Sequence, residues 1–265
     1  TCFQKLETLA LTRQKQRPSN LFQVLEHIGR LTDLDVRDVF DSSTIPVECI
    51  VSLTKLKSLL LLRPMSTEQA FVPAFEISRL TRLTRLVIDG YDVGTSLFHL
   101  TNLTDLEIYS PLSLSSWHFH EVLPKLQRLL FDCQVTPILA SGVLSQMKSL
   151  KHIGMYSFKA TANETVFETL AALTALTLLR IDFSIGESRT EQLAQVSQLS
   201  TLLSLELNFH PPLHPCDYIE EGTLPRLRYL VVNTPDLSDE RRAEMRRRLP
   251  GLRNIFVRRP TGEVE

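Results

Sequence analysis

The sequence predicts an α/β solenoid of the horseshoe kind. About eleven short parallel strands line its concave side, and helices or irregular connectors cover the convex side. Three observations predict it. An apolar frame at offsets 0, 3, 6 and 8 occurs eleven times along the 265 residues. Successive frames start 20 to 27 residues apart. Between them lie stretches whose apolar residues recur at helical spacing, so each repeat supplies a strand and a covering segment.

The clearest copy is Leu80–Ile88, written LTRLTRLVI. Its closing step of two marks a strand, with Leu86 and Ile88 on one side and Val87 on the other. The steps of three before it fit a bend leading into that strand. The same frame starts at Phe3, Ile28, Leu53, Leu80, Leu100, Leu123, Met147, Leu173, Leu199, Leu224 and Leu249. All forty-four frame positions hold Leu, Ile, Val, Phe or Met, which a chance arrangement would not produce. The repeat domain therefore runs over 1–259, followed by a tail at 260–265. The first frame begins at the very start of the chain, which points to a truncated amino end and a further domain upstream.

The connectors follow in order. Ser19 begins a helical stripe of Leu21, Val24, Leu25, Ile28 and Leu31, with the serine as N-cap. The stretch Asp89–Ser96 has two glycines and falls in the 20-residue period, so a turn or 3₁₀ segment and a local change of curvature are expected there. Asn163 precedes Val166, Phe167, Leu170 and Leu173, a second helical stripe. Thr190–Leu199 repeats the design with Leu193, Val196 and Leu199. After Leu207 three prolines forbid a helix. Ser238–Leu249 places Asp239 and Glu240 in a first turn, where the helix dipole favours them, and Met245 and Leu249 on the inner side.

Composition sets the outer limits. Hydrophobic residues are 43% and charged ones 22%, ordinary globular material rather than a disordered chain. A net charge of −1 points away from nucleic-acid and membrane-surface partners. Cys2, Cys49, Cys133 and Cys216 lie far apart without a Cys-x-x-Cys, which suits free thiols and a cytoplasmic setting. No apolar run reaches the roughly 18 residues needed to span a bilayer.

Over essentially its whole length this frame resembles that of leucine-rich repeat proteins. The family's Asn, three places after the last strand leucine, is missing: Val39, Pro64, Tyr91, Gln134 and Phe158 stand there. Periods near 25 and the closing LPRLRYL and LPGLRNI are similar to the arrays of F-box-type substrate receptors and nucleotide-binding immune receptors. No F-box and no phosphate-binding loop lies within these residues. The resemblance implies protein–protein recognition on the concave face, either as the substrate-recognition part of an F-box-type ubiquitin ligase or as the ligand-sensing array of an immune receptor or bacterial effector.

Side-chain alternation then names the surface. Residues between and just after the two strand leucines face the concave side. Asp89, Tyr109, Asp132, Tyr156 and Asp182 form an acidic and aromatic column through the middle repeats, with Arg37 and Arg180 beside it. Leu60, Leu62 and Val87 are apolar where exposure is expected. Solubility and β propensity account for one Asp or Tyr on a strand face. Aromatic anchors with apolar neighbours are what protein-binding hot spots use, so these ten residues are the candidate partner site.

The remaining signals are weaker. His118 with His120, and His210, His214 and Cys216, lie in irregular connectors without a complementary ligand pair, so no metal is expected. Five arginines between 241 and 248 are interleaved with Asp239, Glu240 and Glu244, which reads as a solvated helix face. The sequons at Asn102 and Asn163 are short enough to arise by chance. Asp89, Asp132 and Asp182 sit about 10 Å apart on alternate strands, too far to share a proton. No enzyme, no cofactor and no catalytic residue are read here; the partner is a protein ligand.

Overall fold

A computed structural model describes residues 5–11, 25, 27–37, 47–62, 76–89, 91, 93–109, 123–132, 143–158, 166–183, 195–208, 219–233 and 237–258. The chain forms two compact units. The first comprises Thr1–Ser113 with His118–Leu126, the second Leu114–Trp117 with Gln127–Glu265.

The first unit holds strands β1 (Thr8–Leu11), β2 (Asp33–Arg37), β3 (Ser58–Leu62), β4 (Arg85–Asp89) and β5 (Asp105–Ile108). Each pairs in parallel with the next, in sequence order. The second holds β6 (Arg128–Asp132), β7 (His152–Phe158), β8 (Leu178–Phe183), β9 (Ser204–Asn208), β10 (Tyr229–Val232) and β11 (Asn254–Val257), paired in the same way. The register aligns the frames: Leu59 lies beside Leu86, and Leu86 beside Leu106. All eleven predicted strands are present.

The steps of three have a local cause. At each bend that lies wholly within the described residues the second frame residue's amide donates to the carbonyl of the first: Leu56 to Leu53 at 2.9 Å, Leu83 to Leu80 at 3.0 Å, Leu227 to Leu224 at 3.0 Å. The turn so closed directs both frame residues inward and puts the two between them at its tip. The chain then becomes a strand, and the step of two takes over.

The amides entering the strand join each repeat to the one before. Thr32 and Asp33 both donate to the Glu7 carbonyl at 2.8 and 3.0 Å, and Thr84 and Arg85 both donate to that of Lys57 at the same distances. Thr32, Thr84, Thr104 and Thr177 add their hydroxyls to these carbonyls at 3.0–3.2 Å. Backbone groups at the margin where the chain enters each strand are thereby satisfied.

The frame leucines form the core; Leu59, Leu86, Leu106, Leu179 and Leu205 are wholly buried. One face of the sheet is covered by the connectors. These include helices α1 (Val47–Val51), α2 (Val143–Gln146), α3 (Val166–Ala171) and α4 (Asp239–Arg248). As expected, α3 buries Val166, Phe167 and Leu170. In α4 the Ser238 hydroxyl accepts from the Arg241 amide, Asp239 and Glu240 lie in the first turn, and Met245 is buried. The short connector holds a 3₁₀ segment at Gly94–His99. Where a helix was expected before Leu199, the described part is a 3₁₀ turn at Gln195–Gln198 that still buries Val196. The stripe residues Leu21, Val24 and Leu193, the cap Ser19, and Asn163 and Thr190 at the starts of the later stretches lie outside the described residues. Among the described residues no helix is long and apolar enough to cross a membrane.

Candidate binding face

Opposite the connectors, each strand offers three outward positions: one before, one between and one after its two leucines. In each unit this open face carries some of the predicted site residues.

In the first unit Asp35 and Arg37 on β2 form a two-point ion pair, Nε to Oδ1 and Nη2 to Oδ2 each at 2.9 Å. Exposed pairs of this kind contribute about 0–1 kcal/mol, so this one orders the guanidinium more than it holds the fold. Leu60 and Leu62 on β3 are half-buried. Val87 departs from its expected exposure, at 2%. It is a short side chain between Leu60 and Glu107 in the register, and the Arg85 guanidinium runs past it to Glu107 Oε1 at 3.4 Å. Glu107 is itself buried and accepts a 2.7 Å bond from the Tyr109 hydroxyl. Tyr109 and Asp89 are both half-buried. Leu60 and Leu62 are thus the accessible apolar surface, and Val87 is not part of it.

The second unit gathers a denser group. Gly154 on β7 lies between Leu130 on β6 and Arg180 on β8. The space its missing side chain leaves is occupied by Leu130, which is 4% exposed although it points away from the covered core. The Arg180 guanidinium stands 4.7 Å from the centre of the Tyr156 ring, within cation–π range. It also binds Asp182 at 2.9 Å and Glu206 at 3.4 Å. Burial works to lower the Arg180 pKa, but the hydrogen bond and charge of Asp182, then Glu206 and Tyr156, prevail and raise it. Asp132 stands at the register position beside Tyr156.

The arrangement extends to residues the column did not contain. Asn208 donates to Asp182 and, at 3.2 Å, to Glu206. Arg258 beyond β11 reaches Glu206 at 2.7 Å, two strands away, so its side chain crosses β10 at the level of Val231 and Asn233. That crossing explains why Asn233 is only 8% exposed on a nominally open face. The sequence signal for this part was opposite charge at corresponding positions of neighbouring repeats, Arg180 beside Glu206, and it lies outside the Asp–Tyr column.

Chemically, the second unit presents a fixed cation lying on an aromatic ring, flanked by two carboxylates. The groups are ordered before any ligand arrives, so less side-chain entropy is lost on binding. The candidate metal ligands His118, His120, His210, His214 and Cys216 lie outside the described residues.

No family model matches the chain, and no curated protein matches it in sequence. Solved structures match its fold. The leucine-rich repeat-containing protein LegL7 from Legionella pneumophila is 14% identical, with a TM-score of 0.60 over 97% of this chain and 92% of that one. A leucine-rich repeat protein of Leptospira interrogans is 18% identical, with a TM-score of 0.42 over 88% of this chain and 56% of that one. The leucine-rich repeat ectodomain of a plant membrane receptor kinase from Arabidopsis thaliana, in complex with Casparian strip integrity factor 2, is 19% identical, with a TM-score of 0.44 over 96% and 33%. The likeness to the Legionella protein shows that this chain has the leucine-rich repeat fold.

Proposed function

We propose that this chain is a protein-recognition module whose ligand lies against the open face of the repeat sheet, and that it is a binding module rather than an enzyme. The observation that carries the reading is Tyr156 beneath Arg180, with Asp182 and Glu206 fixing the guanidinium. Tyrosine and arginine recur among interface residues that dominate affinity, because they combine large contact area with directed polar groups. A strand face left uncovered by its own connectors is where a repeat array holds a partner.

Within that reading we favour the substrate-recognition part of an F-box-type ubiquitin ligase. Its support is the stride near 25 residues with helical covering segments such as α3 and α4. Affinity capture of the full chain, in wild-type form and as Tyr109→Ala and Tyr156→Ala, tests the face. Partner recovery should fall at least about tenfold in one or both variants, the loss expected when a hot-spot aromatic is truncated, with unchanged melting. Equal recovery from all three proteins would sink the open-face assignment. Ligase subunits among the recovered partners support the finer reading; their consistent absence beside a specific partner removes it.

A further inference from the structure

The turn tips of the first unit carry a second feature, on the sheet margin rather than its face. Two residues after each frame start stand Lys5, Arg30, Lys55, Arg82, Asn102 and Lys125, and the five cations among them are all exposed. The bends of Arg30, Lys55, Arg82, Asn102 and Lys125 are closed by the same hydrogen bond, so these residues occupy equivalent tip positions in successive repeats, and Lys5 holds the same place in the first frame of the sequence. Neighbouring tips touch: Asn102 donates to the Thr81 carbonyl at 3.0 Å, and Lys125 donates to Asn102 Oδ1 at 2.7 Å. With strands about 4.8 Å apart, the line from Lys5 to Lys125 runs roughly 25 Å.

The side chains of Lys5, Arg30, Lys55 and Arg82 make no ion pair and no hydrogen bond within the chain among the described residues. Lys57 and Arg79 stand exposed beside the line, with Glu7 as the carboxylate at the same margin. In the second unit the equivalent tips hold Ser149, Ala175, Thr201, Arg226 and Gly251, so the charge does not follow from the turn geometry itself. A single row of like charges at this spacing is unfavourable for the isolated chain, and an anionic ligand relieves it.

We propose that this margin binds an acidic, extended polypeptide segment. The row is one side chain wide, which suits a single extended strand carrying a carboxylate toward each tip. The adjoining open face of the same unit has five carboxylates, Asp33, Asp35, Asp89, Asp105 and Glu107, against Arg37 and Arg85. It repels an anion that spreads beyond the margin. The residues preceding the five cations are Gln4, Gly29, Thr54, Thr81 and Pro124, without an aromatic surface for stacking bases and with one proline as their only apolar side chain, too little to enter a bilayer. Charge complementarity therefore selects an acidic peptide over a nucleic acid or an anionic membrane.

The test uses the full chain and a labelled peptide of about twelve alternating Asp and Glu residues, long enough at ~3.3 Å per residue to span the row. Fluorescence anisotropy compares it with a lysine peptide of equal length, an oligothymidylate and phosphatidylserine vesicles. The acidic peptide should bind at about 50 mM salt and weaken at least tenfold by about 300 mM, where exposed charges are screened. Arg30→Glu with Lys55→Glu and Arg82→Glu should lower its affinity at least about tenfold, while Arg241→Glu with Arg246→Glu on α4 should change it less than about twofold, since rim charges act locally. Replacing the three cations by Gln keeps the test usable if the reversed variant fails to fold. The proposal is overturned by no binding at low salt, by tighter binding of oligothymidylate or vesicles, or by equal losses in the two sets of variants.

Discussion

Replacing Gly154 by alanine adds one carbon to the open face of the second unit. That carbon would sit 2.4 Å from Leu130 Cδ2 and 3.5 Å from its Cγ. Carbon atoms rest at about 3.5–4.0 Å, so the Leu130 tip must move by more than about 1 Å and surrender its packing. Overpacking of this kind costs about 1–3 kcal/mol, offset by about 0.4–1 kcal/mol because alanine has less freedom in the unfolded chain. The net expectation is a loss of about 0.5–2 kcal/mol. Leu130→Ala alone should cost about 2 kcal/mol, the lower end for leucine truncation, because it empties the same space from the other side. In the double variant the methyl group added at Gly154 occupies part of that space, so the two losses should fall short of their sum by at least about 1 kcal/mol. Urea unfolding followed by circular dichroism on the four proteins measures this, provided the slopes with denaturant agree. Additivity within about 0.5 kcal/mol, or an unchanged Gly154→Ala protein, would refute the account.

Leu179→Ala, at a wholly buried frame position, should cost about 2–5 kcal/mol, and Leu11→Ala at the end of β1, 8% exposed, distinctly less; equal shifts in thermal unfolding would contradict a solenoid with a weaker first repeat. The hydrogen bonds of Arg247, then those of Arg248, hold the Glu244 carboxyl well below its usual value of 4.5, at about 2. A depressed carboxyl stabilises above its unfolded value, so the contribution of this group should be intact above about pH 4.5 and vanish as pH falls through about 2. Hydrogen exchange along α4 should show this loss in the wild type and not in Glu244→Gln; the same acid response in both would rule Glu244 out.

The strands were legible because the frame is purely apolar and strictly spaced: a two-residue period has only one way to bury Leu86 and Ile88 while turning Val87 outward. The last covering helix was legible for a different reason, since Ser238, the first-turn acids and Met245 all agree locally. Outward direction, however, is not exposure. Val87 points away from the core and is still covered, standing between Leu60 and Glu107 of the neighbouring strands, and no period in the sequence records how side chains of neighbouring repeats close over one another. Arg258 shows the same limit, since its partner Glu206 lies two repeats away. Strand alternation was enough to give Asp89, Tyr156 and Asp182 their register positions on β4, β7 and β8. Which members pair was not legible, because Asp182 takes both Arg180 and Asn208. The short turn at Gln195–Gln198 escaped prediction because Val196 and Leu199 fit an α-helix and a 3₁₀ turn equally well.

The shared carbonyl at the start of each strand also bears on how such a chain changes length. At nine junctions among the described residues one carbonyl receives two successive amides of the following repeat, whatever side chains stand there: Glu7, Thr32, Lys57, Gln127 and Leu203 serve alike. The joint is therefore indifferent to which repeat it joins. Excising one whole frame, residues 28–52, would bring the Glu7 carbonyl to the amides of Lys57 and Ser58 with the pattern intact. A deletion of one or two residues inside a frame would instead misalign every joint beyond it. Small differences in length can gather only in the connectors, where the stride already ranges from 20 to 27 residues. Whole repeats are thus the natural unit of duplication and loss in this architecture.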